Sequence, residues 1–290
     1  MTIREILIKT GSTYNLSPLD MGILLSLALV KPKEYILAHP EKKISSVQIK
    51  KYHSFAKRRS VGEPIAYIAG KKEFFGLDFI VDKNVLIPRP ETELLVENAI
   101  EKIKNAKCDM PNTIIDVGTG SGNIIISIAK NIPSKIKNKT NFYAVDISKK
   151  SLEVAKENAK KNKIDQKIKF IQSNLLEYFQ PLVEKNKKFK NILIIANLPY
   201  VSPKIYNANK NNLKFEPKTA LLSRNNGLDH YIKLFKQVRL LFTVHCSLIL
   251  EFSPEQKSEI SRIITRYLPK AKAEFFKDLA GRWRVAVLSF

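Results

Sequence analysis

Cysteine is scarce in this chain of 290 residues: Cys108 and Cys246 are the only two, far apart and without a CxxC pair. That excludes a disulfide framework, argues against a zinc site, and fits a reducing compartment. The four histidines, His39, His53, His230 and His245, have no metal-ligand spacing, so no metal is expected. Long apolar runs are missing too. The longest conspicuous one, MGILLSLALV (21–30), has ten residues, too few to cross a bilayer. It follows Asp20 and lacks a cleavage-like sequel, so it does not read as a signal peptide. A soluble cytoplasmic protein with no membrane association is expected. Acidic residues are few, 27 against 50 basic, giving a formal charge of +23. Only 10 of the basic residues are Arg, and they do not cluster. The excess therefore reads as lysines spread over solvated surfaces, since phosphate-binding surfaces tend to gather arginines. Nucleic acid is not required by this reading.

What is present divides along the chain. Residues 1–70 lack strand alternation and read as helices over 3–10, 18–29 (capped by Ser17), 33–38 and 46–60. The stretch EFFGLDFIVDKNVLIP, with Gly76 and a D-K-N turn between apolar runs, predicts a β-hairpin. A helix over 91–104 starts at Pro90. Strands and helices then alternate, with strands at 113–117, 142–146, 168–172, 192–196, 247–252, 273–277 and 283–290. Helices fall at 123–131, 148–162, 227–243 and 254–267. The first five strands are nearly continuous apolar runs, which implies a parallel sheet covered on both faces. The last two are joined by DLAGR and predict an antiparallel hairpin at the sheet's end. The expected organisation is a helical domain over 1–73, a hairpin linker over 74–90, and an α/β domain over 91–290.

Two loops carry chemistry. DVGTGSGN (116–123) follows the first core strand, and its alternating glycines let the backbone turn tightly and approach a ligand. A dinucleotide fingerprint would put its third glycine at 123, where Asn stands, and Asp116 would repel a pyrophosphate. Asp146 ends the next strand, where a carboxylate can accept ribose hydroxyls. In NILIIANLPYVSPK (191–204), Asn197, Leu198, Pro199 and Tyr200 terminate a buried strand, since Pro199 cannot donate to a ladder. An acid, a glycine loop without the dinucleotide register and a second strand-end acid together resemble the class I S-adenosylmethionine-dependent methyltransferases. That family's Rossmann-like seven-strand sheet, ending in an antiparallel strand, matches the strand count.

NLPY resembles the [N/D]-P-P-[Y/F/W] signature of methyltransferases acting on planar nitrogens. An amide nitrogen is a weak nucleophile, so what the site can supply is positioning, worth on the order of 7–11 kcal/mol. The Asn197 side-chain oxygen and the Leu198 carbonyl are candidate acceptors for two N–H groups, with the Tyr200 ring against the amide face. RRSVGEPIAYIAG (58–70), KKEFFGLDFIVDKNVLIPRPETE (71–93), FEPKTALL (215–222), NGL (226–228) and DLAGRWR (278–284) resemble the release-factor glutamine methyltransferases over nearly the whole chain. The resemblance implies S-adenosyl-L-methionine as methyl donor, with S-adenosyl-L-homocysteine as product. It implies as acceptor the glutamine of the GGQ loop of class-1 peptide chain release factors, and a monomeric enzyme. It maps donor binding to Gly118, Thr119, Gly120, Ser121, Gly122, Asp146, Leu175 and Asn197. It maps the substrate glutamine to Asn197, Leu198, Pro199 and Tyr200, with Arg89 at the pocket mouth. The sequence departs from the family at Leu198, usually proline, at Asn174, often Asp, and at Ser253, commonly glycine. Two alternatives stay open: a nucleic-acid adenine-N6 methyltransferase, which uses similar Asn-x-Pro-aromatic geometry, and a donor-binding module without turnover.

Overall fold

The computed structural model describes residues 1–106, 112–185, 191–241 and 246–290. Cys108, His245 and the last two residues of the expected helix 227–243 lie outside them. The backbone forms two compact units, Met1–Lys71 and Lys72–Phe290.

The first unit is helical: Ile3–Tyr14, Pro18–Leu29, Lys33–Ala38, Ser46–Ser60 and a short Ile65–Ala69. Its starts are set by side chains that satisfy the free N–H groups of the first turn, with capping boxes at Thr2/Glu5 and Ser45/Gln48 and a Ser17 cap. Ile3, Ile6, Leu24, Leu25, Tyr52 and Ile68 form its core. The first helix continues past the expected stop at Thr10. Gly11 is tolerated inside it because a Cβ there would stand 3.3 Å from the Met21 side chain, so a larger residue would crowd the helix–helix contact.

The second unit opens with a hairpin, β1 (Lys71–Phe74) and β2 (Leu77–Ile80). It begins three residues before the expected hairpin and ends well short of 90. The turn is Phe75–Gly76, both at positive φ (52° and 71°), the two-residue geometry that matches strand twist. The D-K-N segment makes a separate turn, in which the Asp82 side chain accepts the Asn84 N–H. Core strands follow: β3 (Thr113–Val117), β4 (Asn141–Asp146), β5 (Ile168–Gln172), β6 (Ile192–Ala196), β7 (Cys246–Glu251), β8 (Lys272–Lys277) and β9 (Trp283–Ser289). The sheet order is β5-β4-β3-β6-β7-β9-β8. β3 to β7 are parallel, while β9 runs antiparallel to both β7 and β8. This is the class I methyltransferase fold, with a hydrophobic cluster on each face of the sheet. Among the described residues no helix is long and apolar enough to cross a membrane.

The chain leaves β3 toward β4 on one side and later returns to place β6 on the other. The carboxyl ends of β3 and β6 therefore form the switch point where α/β sheets hold ligands. Register does the rest. Val117 pairs with both Val145 and Ala196, and Ala196 with Leu250. Gly118, Asp146, Asn197 and Glu251 consequently leave the sheet side by side.

Candidate active site

At that switch point lies a cleft of about 760 Å³, open mouth included. Gly118, Gly120, Asp146, Leu175, Asn197, Leu198 and Pro199 line it, joined by Asn84–Leu86, Ile147, Thr219 and His230. Seven of the residues singled out from the sequence are thus brought together.

The glycine loop is held from beneath. The N–H groups of Gly118 and Thr119 both donate to the Val145 carbonyl, at 2.8 and 2.9 Å. Asp146 accepts the Gly120 N–H at 2.9 Å and the Ser148 N–H at 2.8 Å, one on each carboxylate oxygen. Each oxygen keeps a further lone pair for a ligand. At Gly118, φ +75°, a Cβ would meet Leu198 Cδ2 at 3.1 Å, and at Gly120, φ +54°, it would meet only the Gly118 carbonyl oxygen at 4.0 Å. The ligand side of the loop is open. Thr119, Ser121 and Gly122 belong to the loop but turn inward. Thr119 donates to Asp116, Ser121 to Asn123, and Gly122 packs on Ile126 and Ala155. Asp116 is wholly buried, one of its oxygens has no partner, and burial pushes its carboxyl up to about 7. Burial also raises Asp146, against three backbone N–H groups that lower it. Two acids under and beside the loop suit a cationic ligand and oppose a pyrophosphate.

The hairpin and its sequel form one wall. Asn158 accepts the Ile80 N–H at 2.6 Å and donates to the carbonyls of Ile80 and Ser121, both at 2.9 Å. Ser151 donates to the Asn84 carbonyl at 3.0 Å. Arg89 does not line the cleft. It pairs with Glu216, 5% exposed, which also accepts the Ile87 N–H at 3.2 Å. That link ties the IPRPETE segment to FEPKTALL. Asn174 donates to Glu177 at 2.6 Å, an arrangement that an acid at 174 would disrupt by repulsion. Leu175, at φ 53°, is fixed by the next residue, whose N–H donates to Gln237 at 2.8 Å.

The Asn197 carboxamide is the most constrained group. Its Nδ2 donates to Thr92 Oγ1 at 3.1 Å and to Glu251 Oε2 at 3.0 Å, which leaves Oδ1 as the free acceptor of a residue that lines the cleft. Tyr231 O–H lies 2.5 Å from the Glu251 carbonyl and 3.2 Å from that of Leu198. Its single proton goes to the nearer oxygen, so the Leu198 carbonyl keeps acceptor capacity. The Leu198 side chain, where the family has proline, is buried against Gly118. Tyr200 does not line the cleft either; its O–H donates to Glu251 Oε1 at 3.3 Å. Burial drives the Tyr200 hydroxyl above its ordinary range, helped by the Glu251 charge. Burial likewise pushes Glu251 up to about 7, against its hydrogen bonds and Arg284. The cleft histidine, His230, is lowered by burial.

Glu251, Thr92, Tyr231 and Gly227 were not anticipated. For Glu251 a signal existed: an acid closing the apolar run SLILEF, as Asn197 closes ILIIA. Gly227, φ +91°, lies where a Cβ would stand 2.0 Å from the Tyr200 carbonyl oxygen and 2.3 Å from Gln256 Nε2. Gln256 in turn donates to Tyr200 and Asn226, at 3.1 and 2.8 Å. Gly227→Ala should therefore destabilise the fold by about 2–4 kcal/mol and reduce turnover, checked by denaturant unfolding and initial rates. Wild-type values for both would contradict this packing.

Comparison with known proteins agrees with the geometry. Residues 6–70 match the PrmC N-terminal domain and residues 110–263 a methyltransferase domain. The release factor glutamine methyltransferase of Aliivibrio fischeri is 34% identical over 270 residues, 92% of this chain and 88% of that protein. The chain belongs to the release factor glutamine methyltransferase family. The family member from Clostridium botulinum is 33% identical over 268 residues, 92% of this chain and 90% of its own. Among solved structures, the hMettl16 catalytic domain in complex with MAT2A 3'UTR hairpin 6 aligns with a TM-score of 0.55 and 16% identity. It covers 82% of this chain and 81% of that one. That likeness is one of fold.

Proposed function

We propose that this family member methylates the side-chain amide nitrogen of the glutamine in the GGQ loop of class-1 peptide chain release factors, with S-adenosyl-L-methionine as donor. The observation that carries the reading is the Asn197 carboxamide, which lines the cleft and whose two N–H groups are held by Thr92 and Glu251, so that Oδ1 is left to accept. The residues present fit the donor. Gly118 and Gly120 leave room for it, Asp146 can accept its ribose hydroxyls, and the acids Asp116 and Asp146 favour its positive charge. When bound, the donor supplies an electrophilic methyl group. The chain's own part is positioning. Asn197 Oδ1 and the Leu198 carbonyl each accept one N–H of the substrate amide, turning its nitrogen toward the methyl-donor site. No strong base is needed, because methylation makes the nitrogen acidic enough to lose its proton to water. Incubation with radiolabelled donor and either release factor or ribosomal RNA tests the proposal. Label in the glutamine of the release factor is expected, and label only in RNA would overturn it.

The helical unit Met1–Lys71 serves as a docking module, since one glutamine cannot specify a whole protein partner. Deleting residues 1–70 should raise KM for intact release factor far more than for a short GGQ peptide. Equal effects on both would contradict the docking role. The protein acts as a soluble monomer, a point that sedimentation checks.

A further inference from the structure

A carboxamide has two nearly isosteric ends, and a site that must accept N–H groups works only if the oxygen faces the substrate. We propose that Glu251, with Thr92 beside it, is the positioning residue that fixes which end of Asn197 faces the cleft, and so sets the preference for an amide over an acid. The inference rests on the function proposed above.

Glu251 is 1% exposed and ends β7, one residue past the Leu250 that pairs with Ala196. Burial pushes Glu251 up to about 7, so at pH 8 it is mostly ionised, and an ionised carboxylate can only accept hydrogen bonds. Its Oε2 therefore requires an N–H from Asn197, at 3.0 Å. Thr92 Oγ1 accepts the second Asn197 N–H, at 3.1 Å. One Asn197 donor is thus dictated by the buried carboxylate, and the Thr92 oxygen takes the other. The remaining polar neighbours keep that polarity. Tyr200 O–H donates to Oε1 and Tyr231 O–H to the Glu251 backbone carbonyl, while burial and Glu91 oppose the ionised form and Arg284 favours it. A glutamine at 251 lacks this one-way character. Its NH₂ can face Asn197, the Thr92 hydroxyl can reverse, and Asn197 can turn over to present Nδ2 to the cleft. A cleft with N–H donors welcomes a carboxylate.

The test measures, at pH 8, turnover of a GGQ peptide and the inhibition constant of the matching GGE peptide for wild-type and Glu251→Gln enzymes. Glu251→Gln should lower GGQ turnover and strengthen GGE binding relative to GGQ binding by about tenfold, the factor for one exchanged hydrogen bond. Thr92→Val, which deletes the acceptor with little change in shape, should lower GGQ turnover by about tenfold as well, and Thr92→Ser should recover most of that loss. A purely structural role would weaken both peptides together. An unchanged GGE-to-GGQ ratio in Glu251→Gln, or a Thr92→Val enzyme with full turnover, overturns the proposal while wild-type transfer to GGQ still stands. A wild-type enzyme that labels no GGQ glutamine removes the parent reading instead.

Discussion

Replacing Asn197 by Ala should lower kcat on a GGQ peptide by roughly 10²–10³-fold, the usual cost of deleting one preorganised polar contact at a reacting centre. Donor binding should change little, because Gly118 is held by the Val145 carbonyl and Gly120 by the Asp146 carboxylate, neither of them by Asn197. The separation matters physically. Asn197→Ala leaves the buried Glu251 carboxylate without one donor, which costs stability, so a fall in rate alone could come from unfolding. Donor affinity measured by calorimetry on the same preparation distinguishes the two. Intact donor binding with collapsed turnover is the expected pair. Wild-type turnover would mean that the amide nitrogen is positioned by some other group.

Changing the substrate should have a larger effect still. With GGE in place of GGQ, kcat/KM for methyl transfer should fall by roughly 10⁴-fold or more. Asn197 Oδ1 and the Leu198 carbonyl are both acceptors, so a carboxylate finds two oxygens where the amide has two N–H groups. The result is repulsion together with unpaired polar groups in a partly buried cleft, a combination that discriminates far better than shape alone. Formation of a methyl ester on the GGE peptide at a rate near that of the amide would show that the tip of β6 does not grip the substrate through its acceptors.

Much of this was legible because strand ends are punctuated locally. The apolar runs stop at Val117, Val145 and Ala196, and the residues just beyond them are glycine, acid or Asn-Leu-Pro, so the sheet and most of the cleft follow from spacing. What was not legible depends on register or on distant partners. Glu251 meets Asn197 only because Ala196 pairs with Leu250. Arg89 was expected at the pocket mouth but is occupied by Glu216, 127 residues away in sequence. Thr92 hid inside a segment whose composition is fully explained as a helix start. The hairpin was displaced for a different reason. Its turn uses Phe75 at positive φ, a position where Asn or Asp is the ordinary signal. Tyr200 carries the family's aromatic position, yet its hydroxyl reaches inward to Glu251 and the residue does not line the cleft.

The most direct measurement is a crystal structure with S-adenosyl-L-homocysteine and a GGQ peptide. The glutamine nitrogen should lie about 3 Å from both Asn197 Oδ1 and the Leu198 carbonyl oxygen, pointing toward the homocysteine sulfur. A nitrogen bound by other groups, or a nucleoside lying outside the cleft between Gly118 and Asp146, would contradict the account.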